Sequence, residues 1–238
     1  MHVEVRDPEV LPGVVAATIA AMLREAVAAR GVATLAVSGG RTPSAMLAAL
    51  AAEDVPWTKV WLLQVDERVA PAGDPARNLV GLQDALVRHG PVPAGRILAM
   101  PVDGTSTSEE AARRYAATLR DVAGRPPVLD IVQLGLGDDG HTASLVPDDP
   151  ASEVTDADVA ATETYRGHRR VTLTRPTLDR ARHRVWLVTG ADKAGAVARL
   201  WAADPTIPGG RIRREHALLL LDPAAARFLA ADAADGRG

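Results

Sequence analysis

The sequence predicts an α/β fold with a mainly parallel sheet covered on both faces by helices. Short aliphatic runs alternate along the chain with longer Ala-rich runs, an order that requires crossover connections. The short runs are apolar almost without interruption, as strands buried on both faces are. No internal repeat or low-complexity linker divides the 238 residues, which predicts one domain spanning 1–238.

In chain order, the Ala-rich stretch 14–29 reads as a helix, and TLAV at 34–37 as the first buried strand. A helix at 44–52 leads to the strand VWLL at 60–63, and a helix at 78–88 follows an irregular, Pro- and Asp-bearing loop at 70–77. A helix at 109–121 precedes the strand DIVQL at 130–134, and a second long loop covers 146–157. VTL at 171–173, VWLV at 185–188 and LLLL at 218–221 extend the strand series, with helices at 193–202 and 224–231. Long irregular loops in a compact α/β domain are more often functional than idle. The last four residues, 235–238, are expected to fray.

Composition narrows the function classes. The chain is 47% hydrophobic with only 3% aromatics, and its formal net charge is -3. That balance gives no footprint for nucleic acid or an anionic membrane surface. There is no cysteine, which removes disulfides, thiolate nucleophiles and Cys-ligated metals. The first residues lack a signal-peptide pattern, and charges interrupt the apolar runs before the roughly 20 residues a bilayer span needs. The expectation is a cytoplasmic protein, monomeric or weakly homo-oligomeric, with a small-molecule partner, no nucleic acid and no membrane.

Ligands of such sheets bind beyond the carboxyl ends of the strands. Four segments follow strands: Ser38-Gly39-Gly40-Arg41-Thr42-Pro43, Asp66-Glu67-Arg68, Gly135 through Thr142, and Thr189-Gly190-Ala191-Asp192-Lys193. Parallel topology puts all four at one end of the sheet. In the first, two glycines allow close backbone approach, Pro43 opens a helix, and the helix start offers N–H groups to an anion. Ser38 and Thr42 add hydroxyls. The segment lacks the Gly-Lys-Ser/Thr ending of a nucleotide P-loop, and Ala36 stands where a nucleophile elbow needs glycine. Lys193 sits at another helix start, where a cation is unfavourable unless an anion is held there.

Gly135-Leu136-Gly137-Asp138-Asp139-Gly140 matches G-x-G-x-x-G after a strand. A dinucleotide fingerprint must open a long helix, whereas Pro147 and Pro150 follow almost at once. The glycines fit a tight turn presenting Asp139 and His141, a carboxylate beside an imidazole suited to activating water. Asp66 and Arg68 are candidates for sugar hydroxyls and phosphate, the alternative being charges simply solvated at a strand end. The histidines show no metal-ligand spacing, so neither metal nor cofactor is expected.

These stretches, with Asn78, GLGDDGHTASLVP over residues 135–147, Val171-Thr172-Leu173-Thr174 and Lys193-Ala194, resemble the 6-phosphogluconolactonase family, relatives of glucosamine-6-phosphate deaminases, and occur in the family's order. The resemblance implies a three-layer α/β/α fold like that of the deaminases and ribose-5-phosphate isomerases, and hydrolysis of a phosphosugar lactone in the oxidative pentose phosphate pathway. It implies His141 as general base, Asp139 as its supporting carboxylate, and Ser38, Gly39, Gly40, Thr42 and Lys193 as phosphate-binding positions. Arg68 and Arg170 are further cations, though whether Arg169 or Arg170 faces the ligand is left open. Backbone N–H groups of the glycine loop are candidate oxyanion donors. The chain departs from the family at Arg77-Asn78, where Ser often precedes Asn, and at residues 165–170, where the usual approach is Pro-rich. Related deaminases carry Glu where this chain has Val146, which favours lactone hydrolysis over aldose–ketose chemistry. The rival readings are a deaminase or isomerase and a non-catalytic phosphosugar sensor.

Overall fold

A computed structural model describes residues 1–88 and 90–229, Arg41 by its backbone only. Strands β1 (His2–Val5), β2 (Ala33–Val37), β3 (Val60–Gln64), β5 (Ile97–Leu98), β6 (Ile131–Leu134), β9 (His183–Val188) and β10 (Ala217–Leu221) form one sheet. Its order is β1-β10-β9-β6-β2-β3-β5, and every neighbouring pair is parallel. Helices α1 (Leu11–Arg30), α2 (Arg41–Ala51), α4 (Ser108–Ala123), α6 (Ala194–Trp201) and α7 (Pro223–Ala226) cover it. The architecture is the expected three-layer α/β/α.

The period-two geometry of a strand divides its apolar residues between the two faces. Leu35 and Val37 of β2, Ile131 of β6 and Leu187 of β9 pack with Ile19 and Leu23 of α1 and Met46 and Leu50 of α2. Ala36, Val132, Leu134 and Trp186 turn the other way, toward Tyr115 and Leu119 of α4, Val197 and Leu200 of α6 and Ala225 of α7. Continuous apolar strands are therefore needed, because each face supplies its own core. Gly31 at φ 77° ends α1, and the Thr107 hydroxyl starts α4 by accepting the Glu110 N–H at 3.1 Å, a side-chain cap.

Helix α1 corrects one expectation. It is long and apolar enough to cross a membrane by length and composition, because only Arg24, Glu25 and Arg30 interrupt it. The buried helix of a packed core passes the same test, and here Leu11, Val15, Ile19 and Leu23 are fully buried.

A second correction concerns residues 171–173. They belong to β8 (Arg170–Leu173), which pairs antiparallel with β4 (Asp66–Arg68) and β7 (Val159–Ala161) in a separate three-stranded sheet. All of β8 is buried, so its apolar signature matches that of a parallel strand. Asp66-Glu67-Arg68 likewise forms a strand of its own and not a solvated strand end: Asp66 and Glu67 are buried. Helix α3 (Asn78–Gln83) continues through a wider turn at 84–88, and α5 (Arg175–Arg180) joins β8 to β9. The helix expected at 224–231 occupies Pro223–Ala226; residues 230 and 231, and the tail at 235–238, lie outside the described residues.

Strand β2 is the pivot of the topology. From it the chain runs through β3 and β5 toward one edge, while β6, β9 and β10 lie on its other side. The crevice beyond the carboxyl ends of β2 and β6 is the switch point where open α/β sheets bind ligands.

Candidate active site

A cleft of about 180 Å³ opens at this switch point. Ser38, Gly39, Gly40 and Thr42 line it from the β2–α2 loop; Asp66, Arg68 and Asn78 from β4 and α3. Gly135, Leu136 and His141 follow β6, Arg170 starts β8, and Thr189 and Lys193 follow β9. Every site residue expected from sequence thus lines one cleft except Asp139, which stands behind His141.

The β2–α2 loop is built around close approaches. A Cβ on Gly39 would fall 2.1 Å from Asn78 Oδ1, and Gly40 has φ 109°, a conformation that excludes most side chains. Neither glycine N–H has a hydrogen-bond acceptor among the described residues, and the first N–H groups of α2 have none within the helix. Free N–H groups at a helix start are favourable to an anion. The Thr42 and Thr189 hydroxyls lie 3.2 Å apart. Ser38 departs from expectation: its hydroxyl donates to the Gln133 carbonyl and its N–H to Gln133 Oε1, both at 3.1 Å. Its proton anchors the loop to β6.

The cations sit around the same cleft. Arg170 is almost fully buried and its burial lowers its pKa. Its Nε, like that of Arg68, is buried with no hydrogen-bond partner among the described residues. Arg68 Nη1 donates to Ala76 O at 2.7 Å. Arg169 turns outward to Glu109 at 2.6 Å, so Arg170 is the arginine that faces the cleft. Lys193 ends a short turn before α6, with Nζ 3.2 Å from Asp192 and 3.8 Å from Asp138.

Asp66 lies among these charges. Burial pushes its carboxyl up, opposed by the Ser144 hydroxyl and the charges of Arg170 and Arg68. Ser144 donates to Oδ2 at 2.6 Å and Asn78 Nδ2 to Oδ1 at 3.1 Å. Its neighbour Glu67 points away from the cleft. Glu67 accepts the N–H groups of Asn78 and Leu79 at 2.8 and 2.9 Å, capping α3 from a distant strand. Arg77 Nε is 3.2 Å from Glu67 Oε2, a buried ion pair that fixes the loop carrying Asn78.

The G-x-G-x-x-G segment closes a tight turn, Gly137 N–H to His141 O at 2.8 Å and Gly140 N–H to Gly137 O at 3.1 Å, with no long helix after it. Those two N–H groups are spent inside the turn and cannot serve as oxyanion donors. Asp139 Oδ1 accepts both the His141 backbone N–H at 3.1 Å and Nδ1 at 2.6 Å. An Nδ1–H bonded to carboxylate leaves the Nε2 lone pair for a proton, and Nε2 has no hydrogen bond among the described residues. Partial burial alone raises Asp139, but the His141 N–H, the imidazole and the Tyr165 hydroxyl outweigh it and hold the carboxyl at about 2. A Cβ on Gly137 would lie 2.0 Å from His141 Nδ1, so glycine there is what lets the pair form. Among the described residues no three His, Asp or Glu side chains group as a metal would need.

Sequence reasoning missed Gln133, Ser144 and the role of Tyr165, whose hydroxyl donates to Asp139 Oδ2 at 2.8 Å. Gln133 was visible as the one polar residue inside an apolar strand; the others depend on tertiary contacts.

Comparison with known proteins accords with this geometry. The family model for glucosamine-6-phosphate isomerases/6-phosphogluconolactonase matches residues 6–221. A 6-phosphogluconolactonase of Synechocystis sp. is 37% identical over 188 residues, 77% of this chain and 78% of that one. The 6-phosphogluconolactonase of Mycobacterium tuberculosis is 37% identical over 237 residues, 94% of this chain and 96% of its own. The structure of 6-phosphogluconolactonase from Trypanosoma cruzi superposes with TM-score 0.86 at 26% identity, covering 97% of each chain. The chain therefore belongs to the glucosamine-6-phosphate isomerase/6-phosphogluconolactonase family.

Proposed function

We propose that this chain is a cytoplasmic, single-domain 6-phosphogluconolactonase, hydrolysing 6-phospho-D-glucono-1,5-lactone to 6-phospho-D-gluconate as the second step of the oxidative pentose phosphate pathway. One observation carries the reading: His141, held by Asp139, lines the same cleft as Arg68, Arg170 and Gly39 and Gly40, whose N–H groups have no acceptor among the described residues. An anion-binding wall and a water-activating imidazole share one sugar-sized space.

The phosphate docks on the Gly39–Thr42 loop with Lys193 and the two arginines, leaving Asp66 and Asn78 for sugar hydroxyls. This brings the lactone carbonyl to His141. His141 Nε2 takes a proton from water as its oxygen attacks the carbonyl carbon. The tetrahedral oxyanion then collapses, the bond to the ring oxygen breaks, and His141 returns its proton to that oxygen. Asp139 stays ionised and steadies the imidazolium between the two transfers.

Relatives named 6-phosphogluconolactonase support the substrate over that of the deaminases, as does the buried, apolar Val146 in the position where those enzymes carry a carboxylate. Freshly prepared 6-phosphoglucono-1,5-lactone is expected to be hydrolysed well above its spontaneous rate, and glucosamine 6-phosphate to release no ammonia. Ammonia release without lactone hydrolysis would transfer the reading to a deaminase, and neither activity would leave a phosphosugar-binding domain.

A further inference from the structure

The chemistry above uses one oxygen of Asp139. Oδ1 is occupied by both N–H groups of His141, while Oδ2 accepts the Tyr165 hydroxyl at 2.8 Å. The Tyr165 ring also meets the imidazole edge-on, centroids 5.5 Å apart at 66°. One side chain therefore touches both members of the pair.

Tyr165 is itself held in place. It exchanges backbone hydrogen bonds with His168 at 3.0 and 3.3 Å across a tight turn in which Arg166 and Gly167 both have positive φ. The guanidinium groups of Arg166 and Arg170 lie 5.1 and 5.2 Å from its ring centroid, within cation–π range. Arg170 also donates to the Tyr165 carbonyl at 3.4 Å. The same residue thus contacts the carboxylate, the imidazole and the buried cleft cation.

A carboxylate on a glycine turn, tied by one oxygen only, keeps a soft torsion about its last bond. Partners of this outer kind fix tautomer and ring orientation and determine how well a site is preorganised. We propose that Tyr165 is a positioning residue for His141: its hydroxyl locks the Asp139 carboxylate and its ring edge limits rotation of the imidazole, so that Nδ1 carries the proton and Nε2 faces the cleft. Through Arg170 it also keeps the anion-binding side in register with the base. The kinetic part rests on the lactonase reading; the geometric part does not.

Tyr165→Phe tests this, since it keeps the ring and deletes the donor, and an unchanged melting temperature verifies the fold. The expected loss in kcat for lactone hydrolysis is about tenfold, the worth of one hydrogen bond to a charged group, with KM within about twofold. In an Asp139→Ala background the same substitution should add almost nothing, whereas a merely structural role would give additive losses. Side-chain ¹⁵N shifts of His141 supply a readout independent of activity: Nδ1–H tautomer in the wild type, a tautomer mixture in Tyr165→Phe. An unchanged tautomer in the variant overturns the proposal, as does an unchanged kcat in an active enzyme. If the wild type fails to hydrolyse the lactone while the tautomer still responds, the assigned reaction falls and the positioning role stands.

Discussion

Ser38 and Gln133 are joined twice, by the Ser38 N–H to Gln133 Oε1 and the Ser38 hydroxyl to the Gln133 carbonyl, each at 3.1 Å. The first residue of the β2–α2 loop is thereby fastened to β6, the strand that ends in the turn of Asp139 and His141. In the proposed mechanism, this cross-strand tie sets the spacing between the phosphate-binding loop and His141. Replacing Gln133 by Met keeps the volume and removes the acceptor for the Ser38 N–H. The expected result is a two- to tenfold rise in KM, corresponding to about 0.5–1.5 kcal/mol for one neutral hydrogen bond, with kcat largely kept. Steady-state kinetics on the lactone decide it; an unaltered KM removes the tie from the account.

Asp139 should remain a carboxylate far into acid. Its folded pKa of about 2 lies below the ordinary value of about 3.9. The stability it contributes is therefore fully present above the ordinary value and lost as pH falls through about 2. A ¹³C titration of the Asp139 carboxyl should give a midpoint near 2, moving up in His141→Asn, which removes the Nδ1–H donor and the imidazole charge while keeping the backbone N–H. A midpoint at the ordinary value in the wild type contradicts the hydrogen bonding described.

Gly137→Ala separates catalysis from folding. The backbone at Gly137 does not have a positive φ, so alanine is tolerated there locally, but its methyl would fall 2.0 Å from His141 Nδ1 and 2.5 Å from Asp139 Oδ1. Misplacing a catalytic group by about 1 Å costs on the order of a hundredfold. That loss in kcat is expected with a stability change below about 1 kcal/mol, read by lactone kinetics beside urea unfolding. Near-wild-type kcat would show that the pair tolerates displacement.

Arg77→Met should damage the fold and not the chemistry directly. Arg77 and Glu67 are both buried and paired at 3.2 Å, so truncation strands a charge beneath α3. Breaking such a pair typically costs about 3–5 kcal/mol, measurable as a lower urea midpoint. A change under about 1 kcal/mol would mean that the N–H groups of Asn78 and Leu79 suffice for Glu67.

The legible parts of this protein are those written locally. The strands of the sheet interior and their following turns stand out because each is a buried aliphatic run ended by glycine or a charge. Edge strand β1 was missed, since only Val3 of its four residues is buried, and β5 has two residues. β8 is legible as a strand but its sheet is not, because apolarity reports burial and not pairing direction. Within the site, GLGDDGHT brings Asp139 and His141 together within eight residues. Glu67 capping a helix eleven residues away, Ser38 spending its proton on Gln133, and Tyr165 reaching Asp139 are long-range relations with no local pattern. The glycine turn shows the same limit: Gly137 and Gly140 use their N–H groups to make the turn itself, which narrows the candidate oxyanion donors to the other N–H groups of the loop.

The most direct test of the central claim is pH-stat hydrolysis of fresh 6-phosphoglucono-1,5-lactone by wild type and His141→Ala, corrected for spontaneous opening. General base catalysis is worth roughly a hundred- to ten-thousand-fold, and the variant should lose that much in kcat while binding inorganic phosphate as the wild type does. A His141→Ala enzyme that turns over lactone at the wild-type rate would contradict the account.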